Sequence, residues 1–346
     1  MISFENDYSE GALPEILDRF LRTNLTQESG YGNDRWSLAA ADKIRASCKA
    51  PAAEIFFLTG GTQVNAFAID MLLSPCEGVI CAETGHINVH EAGAIEFTGH
   101  KVMPLPGHEG KIDANELAAY LDLYLSDETL PHMVQPGMVY LSWPTEFGTL
   151  YSKSDLENIS AIAHARGLRL FLDGARMGYG LASPACDVTT ADIARLCDAF
   201  TIGGTKVGAL CGEALIIAPE VLPAHTITRI KQHGALLAKG RLIGLQFDTL
   251  FSGDLYQRAA RHAVEQAMRL RFIFHKYEIP LYLDSPTNQQ FVVLPNSLLQ
   301  DLRHDFVVSV FGRLSEDTSI VRFCTSWATD PASIDVLESW FAKHCK

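Results

Sequence analysis

Three places in the chain carry side chains whose types and spacing suit chemistry on a small anionic molecule. Gly60, Gly61 and Thr62 lie between the apolar run AEIFFL and the helical stretch QVNAFAIDMLL. Their amides and the Thr62 hydroxyl would gather at a helix N-terminus, where unpaired N–H groups and the helix dipole favour a phosphate. A Gly-Gly turn also serves merely to let strand and helix pack closely. Asp173 ends the apolar run LRLFL, and a carboxylate at such a buried edge is costly unless it meets a cation or strong donors. A protonated ring nitrogen would serve, and so would a simple ion pair with Arg176. Lys206 comes 33 residues later, after the strand-like AFTIGGT. A desolvated amine there loses its proton more easily and turns nucleophilic toward carbonyls, whereas a lysine taken alone more often snorkels from a loop.

Other local patterns do not extend the chemistry. GGTKVG lacks the glycine spacing and the Gly-Lys-Ser/Thr ending of a Walker A loop, and GYGLAS ends in Ser where a dinucleotide fingerprint requires Gly or Ala. His86, His90 and Glu91 match neither HExxH nor HxxEH, because Ile87 and Val89 occupy the deciding positions. No bound metal is expected. The eight cysteines form no CxxC pair, so they read as reduced thiols of a cytoplasmic protein rather than as a zinc or redox site.

These residues need a scaffold that brings them together. AEIFFLTGG, GVICAET, KVMPLPG, MVYLSWP, LRLFLDG, AFTIGGT and EALIIAP are of strand length and continuously apolar. Amphipathic stretches separate most of them, such as SKSDLENISAIAHARG with Leu156, Ile159 and Ala163 at helical spacing after a candidate N-cap, Ser154. This alternation predicts an α/β domain on a mostly parallel sheet of seven strands, covered on both faces. From about Leu245 the pattern changes to one long helix, strand-like QQFVVL, FVVSVFG and SIVRFCTSW, and a terminal helix. We therefore expect a large domain over 1–245, including the N-terminal segment, a small α+β domain over 246–346, and a connector within 224–250. Ligands of an open α/β sheet sit beyond the carboxyl ends of its strands. The residues there are, in order, Gly60 to Thr62, His86 and Glu91, Thr145 and Glu146, Asp173 to Arg176, and Thr205 with Lys206.

The chain's 346 residues, 47% of them hydrophobic, suffice for two cores. The formal charge of −13 gives no general attraction to a nucleic-acid backbone or an anionic membrane. The N-terminus does not read as a signal peptide, and no apolar run approaches a bilayer span. The expected partner is a small molecule. A phosphate turn, a histidine suited to stacking, an acidic strand end and a later lysine are together the parts that pyridoxal 5'-phosphate requires.

The combination resembles the threonine aldolase and beta-eliminating lyase family of fold type I pyridoxal-phosphate enzymes. The resemblance spans nearly the whole chain, through NDYSEGALPEIL, YGND, FFLTGGTQVN, GHINVHEAGAIEFTGHKV, PTEFGTLYS, FLDGAR, GGTKVGAL, RIKQ and VRFCTSW. It implies that Lys206 holds the cofactor, Asp173 pairs with the ring nitrogen, and His86 stacks on the ring. Gly60, Gly61, Thr62 and Lys231 would bind the phosphate. Arg176 and Arg322, with Asn6 and Tyr31, would bind the substrate, the arginines gripping its carboxylate. The reaction implied is retro-aldol cleavage of an L-β-hydroxy-α-amino acid to glycine and an aldehyde. His86 is then the first candidate for the β-hydroxyl base, ahead of Glu91 and His90. Asn6, His90 and Val207 depart from the residues frequent in the family and bear on the substrate side chain. The same scaffold also supports β-elimination or transamination, and, outside enzymes, a non-catalytic cofactor-binding module. A homodimer or homotetramer with sites between subunits is implied as well.

Overall fold

Most residues of the seven apolar runs are buried, because helices cover both faces of the sheet, as a mostly parallel sheet requires. In the computed structural model, which describes residues 1–345, they form β1 (Glu54–Leu58), β2 (Glu77–Ala82), β3 (Val102–Leu105), β4 (Gln135–Ser142), β5 (Arg169–Asp173), β6 (Ala199–Gly203) and β7 (Glu213–Ile217). Their order in the sheet is β1-β7-β6-β5-β4-β2-β3. Only β7 runs against its neighbours, pairing antiparallel with both β1 and β6.

The helices on this sheet are α1 (Pro14–Thr23), α2 (Arg35–Cys48), α3 (Gly61–Leu72), α4 (Ala114–Leu125), α5 (Lys153–Ala165), α6 (Met177–Ala182), α7 (Thr190–Leu196), α8 (Thr226–Gln232) and α9 (Arg241–Leu250). Helix α5 buries Leu156, Ile159 and Ala163 as its spacing predicts. Its N-cap, however, is Ser152 and not Ser154. Ser152 and Asp155 close a reciprocal capping box, which satisfies two end donors at once and starts the helix earlier. The stretch 224–250 contains α8 and α9, and α9 buries Ile243, Phe247 and Leu250 in the large core.

Helix α10 (Leu255–Lys276) belongs to both units. Its residues Tyr256 to Val264 join the large core, while Leu270, Ile273 and Phe274 pack with Val292, Phe323 and Phe341 in a second core. That second core covers an antiparallel sheet in which β8 (Leu281–Leu283), β9 (Gln289–Pro295), β10 (Ser309–Arg313) and β11 (Thr318–Cys324) run in the order β10-β11-β9-β8. Helix α11 (Pro331–His344) closes it. The run FVVSVFG is not one strand. Phe306–Val307 pairs in parallel with Ile2–Ser3, and only the rest joins the antiparallel sheet. The N-terminus is thereby drawn to the small unit: Phe4 is fully buried in its core, beside Phe306 and Phe323. The residues after Phe4 then cross to the large unit, which decides where Asn6 and Asp7 lie. Among the described residues, no helix is long and apolar enough to cross a membrane, and no cluster of metal-ligating side chains occurs.

Candidate active site

The carboxyl ends of β2, β4, β5 and β6 and the start of α3 surround a narrow cleft. Gly61, Asn65, His86, Ser142 and Glu146 line one part of it, with Asp173, Arg176 and Lys206 in the rest. Asp173, at the end of β5, is buried. Its Oδ2 accepts hydrogen bonds from the Tyr140 hydroxyl at 2.7 Å and from Asn65 Nδ2 at 2.8 Å, and its Oδ1 accepts from the Ala175 amide at 2.9 Å. Burial pushes the carboxyl pKa up, but His86, these two side-chain donors and Lys206 outweigh it, so the group is held below its ordinary value. Asp173 is therefore an ionised carboxylate set in low dielectric. Its partner is not Arg176, so the simple ion pair that the sequence allowed is not formed.

Arg176 instead meets Asp7. The guanidinium gives Nε to Asp7 Oδ2 at 2.7 Å and Nη2 to Oδ1 at 2.9 Å, and Asn288 donates to the same carboxylate at 2.9 Å. This fork leaves Nη1 as the one Arg176 nitrogen for a ligand. Arg322, on β11, differs in having no carboxylate partner. It reaches the Gln289 amide oxygen, the Glu5 carbonyl and Ser309 Oγ, while its buried Nε has no acceptor. Of the two arginines expected at the substrate carboxylate, Arg322 is the one whose charge is not already neutralised. Removing Asp7 would strand a buried guanidinium, so Asp7→Ala should cost about 3–5 kcal/mol. Urea unfolding of the apoprotein against wild type measures this, and an unchanged midpoint would refute it.

Lys206 sits on a single turn after β6. Burial and Arg176 disfavour its ammonium form, Asp7, Glu213 and Asp173 favour it, and the balance lowers its pKa. Glu213 is buried at the start of β7, and burial pushes its carboxyl up to about 8 against the pull of Lys206. His86 follows β2. Its Nδ1 lies 2.7 Å from Glu91 Oε1, which Asn65 also holds at 2.8 Å. Glu91 thus orients His86 and is not free to face the cleft with that oxygen. His90 is exposed, with its ring centroid 5.7 Å from that of His86, and burial together with His86 and Arg322 lowers its pKa. Val207 points into the large core, so its departure from the family pattern does not reach the cleft.

The cleft has the shape and donors for a phosphate-bearing pyridine. Helix α3 begins at Gly60 with no side-chain cap, and a Cβ built on Gly60 or Gly61 would meet nothing within 4 Å. Open space therefore lies before the unpaired amides of a twelve-residue helix, which is what an anion needs. An ionised buried carboxylate and a lysine with a lowered pKa stand in the same cleft. The donor set fits pyridoxal phosphate. Asn6 lies nearby in sequence to Asp7 but spends its Oδ1 on the Tyr8 amide and Ser9 hydroxyl. Tyr31 and Lys231 are exposed and do not line the cleft; the Lys231 amine stands 4.7 Å over the Tyr31 ring.

Asp7, Asn65, Tyr140, Ser142 and Glu213 were not singled out from the sequence. Asn65 had a visible signal, as a lone amide in the apolar helix QVNAFAIDMLL, and so did Tyr140, whose hydroxyl lies within the buried strand MVYLSW. Asp7 and Glu213 had none, because their partners are distant in the chain.

Comparison with known proteins agrees with this geometry. Residues 7–293 match the family model described as beta-eliminating lyase. A low-specificity L-threonine aldolase of Pseudomonas aeruginosa is 30% identical over 335 residues, covering 94% of this chain and 93% of that protein. The structure of Leishmania major threonine aldolase superposes with a TM-score of 0.97 at 42% identity and full coverage of both chains. Aspartate aminotransferase of Thermus thermophilus, at 14% identity and a TM-score of 0.72, shares the fold alone. With its family match spanning most of its length and its relatives covered almost end to end, the chain belongs to the beta-eliminating lyase family, on the side of the threonine aldolases.

Proposed function

We propose that the protein is a pyridoxal-phosphate-dependent aldolase that cleaves L-threonine-type β-hydroxy-α-amino acids to glycine and an aldehyde. The observation that carries this reading is the pairing, in one cleft, of an ionised Asp173 with a Lys206 whose pKa is lowered. When bound, the cofactor supplies a cationic ring that accepts the electron pair of the breaking Cα–Cβ bond.

The chain's own residues do the rest. The amides at Gly60, Gly61 and Thr62 hold the phosphate. Asp173 would keep a proton on the ring nitrogen, since a buried carboxylate held ionised gains from a cationic partner. The Lys206 amine would hold the cofactor. His86 provides a flat wall that Glu91 keeps in orientation. Arg322 would bind the substrate carboxylate, with Arg176 Nη1 as a second donor, and so would fix the orientation of Cα. Arg322→Ala should raise KM by roughly 10- to 100-fold, the loss of one or two charge-assisted hydrogen bonds, with a smaller change in kcat. Steady-state kinetics with threonine measures the split, and an unchanged KM would remove Arg322 from the carboxylate site.

Tyr31 and Lys231 remain apart from the cleft within one chain. We propose that they serve the phosphate and substrate of a neighbouring copy in a homodimer or homotetramer, which their shared exposure favours. The eight cysteines are free thiols, which fits a reducing, cytoplasmic setting. The cofactor assignment is tested by borohydride reduction followed by peptide mapping. A pyridoxyl adduct on Lys206 is expected; an adduct on another lysine, or none, would contradict it.

A further inference from the structure

The proposed cleavage requires a group that takes the proton of the substrate β-hydroxyl, and no residue discussed so far is free to do so without losing another role. His86 is held at Nδ1 by Glu91, and its ring face is expected to lie against the cofactor. Glu91 is turned toward His86 and Asn65 through Oε1, and although its Oε2 is also buried without a partner, Glu91 does not line the cleft. A further carboxylate, Glu146, does line it and keeps one oxygen uncommitted.

Glu146 stands on the turn that follows β4. Thr145 and Thr149 tie that turn shut through their hydroxyls at 2.6 Å and through the Thr145 amide to the Thr149 carbonyl at 3.0 Å. Gly148 completes it at φ +71°, where a side chain would be strained and its Cβ would collide with Ser285 Oγ. The carboxylate held in place by this turn is used on one side only. Oε1 accepts the His86 amide at 2.8 Å and the Ser142 hydroxyl at 2.6 Å, while Oε2 is buried with no partner. A buried carboxylate oxygen without a protein donor is costly unless another group supplies the hydrogen bond, as a substrate hydroxyl would.

We propose that Glu146 is a catalytic residue of this reaction, the general base whose Oε2 receives the β-hydroxyl proton. The inference rests on the aldolase reading above. In the step, the O–H bond breaks and its proton passes to Oε2. The O–H electron pair becomes the second carbon–oxygen bond of the aldehyde, and the Cα–Cβ pair is left on Cα, which gains a proton from solvent to give glycine while Oε2 returns its proton to solvent. Both charge states of Glu146 are provided for, because Oε1 keeps its two donors whether or not Oε2 carries a proton.

The surroundings raise the basicity of this carboxylate. His86 faces Glu146 from the turn after β2, Cys81 from β2, Tyr140 and Ser142 from β4, Tyr151 from beyond the turn, and Asp173 from β5. Burial raises the carboxyl pKa most; Ser142 and His86 pull it back, and Asp173 adds to the rise. A base with a raised pKa takes up a proton more readily. Since the ionised form is the active one, activity should be low on the acid side and rise as pH climbs through that pKa.

The test separates the two chemistries of the holoenzyme. Exchange of a glycine Cα proton with deuterium oxide, followed by NMR, requires the cofactor, Lys206 and Asp173 but no β-hydroxyl base. Glu146→Gln keeps the Oε1 acceptor and should lower phenylserine cleavage by roughly 10²- to 10⁴-fold, with glycine exchange within about threefold of wild type. The acid limb of kcat/KM should vanish in that variant and persist, shifted, in Glu146→Asp. Cleavage close to the wild-type rate, or an equal fall in cleavage and exchange, would overturn the assignment. If wild-type enzyme exchanges glycine but releases no aldehyde from any β-hydroxy amino acid, the aldolase reading itself fails.

Discussion

Lys206→Ala should lower threonine cleavage by on the order of 10⁴-fold or more and abolish the borohydride-reducible chromophore. The expectation follows from the environment of the amine. Burial and Arg176 destabilise its ammonium form more than Asp7, Glu213 and Asp173 stabilise it, so the nucleophilic free base is within easier reach than in an ordinary lysine. The fold should survive the loss. Lys206 is the largest influence lowering the pKa of Glu213, which burial already holds at about 8, so without the lysine Glu213 simply stays protonated and no unpaired charge is left behind. Lys206→Arg provides the control, since a guanidinium preserves positive charge but yields no free amine. Both variants should be folded by circular dichroism and equally inactive. Substantial turnover in either one would show that the reaction does not pass through this amine.

Asp173→Asn should reduce kcat by roughly 10²- to 10³-fold, the size of effect seen when one preorganised electrostatic partner is removed, and should weaken cofactor binding. The substitution is nearly isosteric and leaves an amide oxygen as acceptor for Tyr140 and Asn65, while the hydrogen bond from the Ala175 amide is lost, so the change is one of charge and one backbone contact. Its effect on stability has a defined sign. The folded pKa of Asp173 lies below the ordinary value, so its ionised form stabilises the fold above the unfolded pKa of about 3.9, and that contribution disappears as pH falls through the lower folded value. Wild-type apoprotein should therefore lose stability more steeply on acidification than Asp173→Asn does. Denaturant unfolding between neutral and acid pH measures the difference, and parallel curves would show that Asp173 is not held ionised in the apoprotein.

How far the site was legible in the sequence depends on how local each signal is. The strand runs ending at Gly60, Asp173 and Lys206 are read from neighbours a few residues away, and the sheet places all three at one edge. Glu146 was legible as a strand-end position, but its role depends on the His86 amide and Ser142, which a linear reading does not bring together. The substrate arginines were chosen by type alone. Only the chain path from Phe4 to Asp7, set by packing of Phe4 into the small core, shows that Arg176 is already paired while Arg322 is not. The same long-range packing decides that α10 is shared between two cores, where the change of pattern near Leu245 suggested a simple division. Tyr31 and Lys231 are exposed and apart from the cleft, and their proposed role would need a neighbouring copy.

The central claim is cleavage of Cα–Cβ, as distinct from loss of the β substituent or transfer of the amine. Holoenzyme incubated with L-threonine, L-allo-threonine or phenylserine should release glycine and the corresponding aldehyde in a one-to-one ratio, with no keto acid formed. Ammonia with a 2-keto acid from these substrates, or pyruvate from serine in the absence of any glycine, would contradict it.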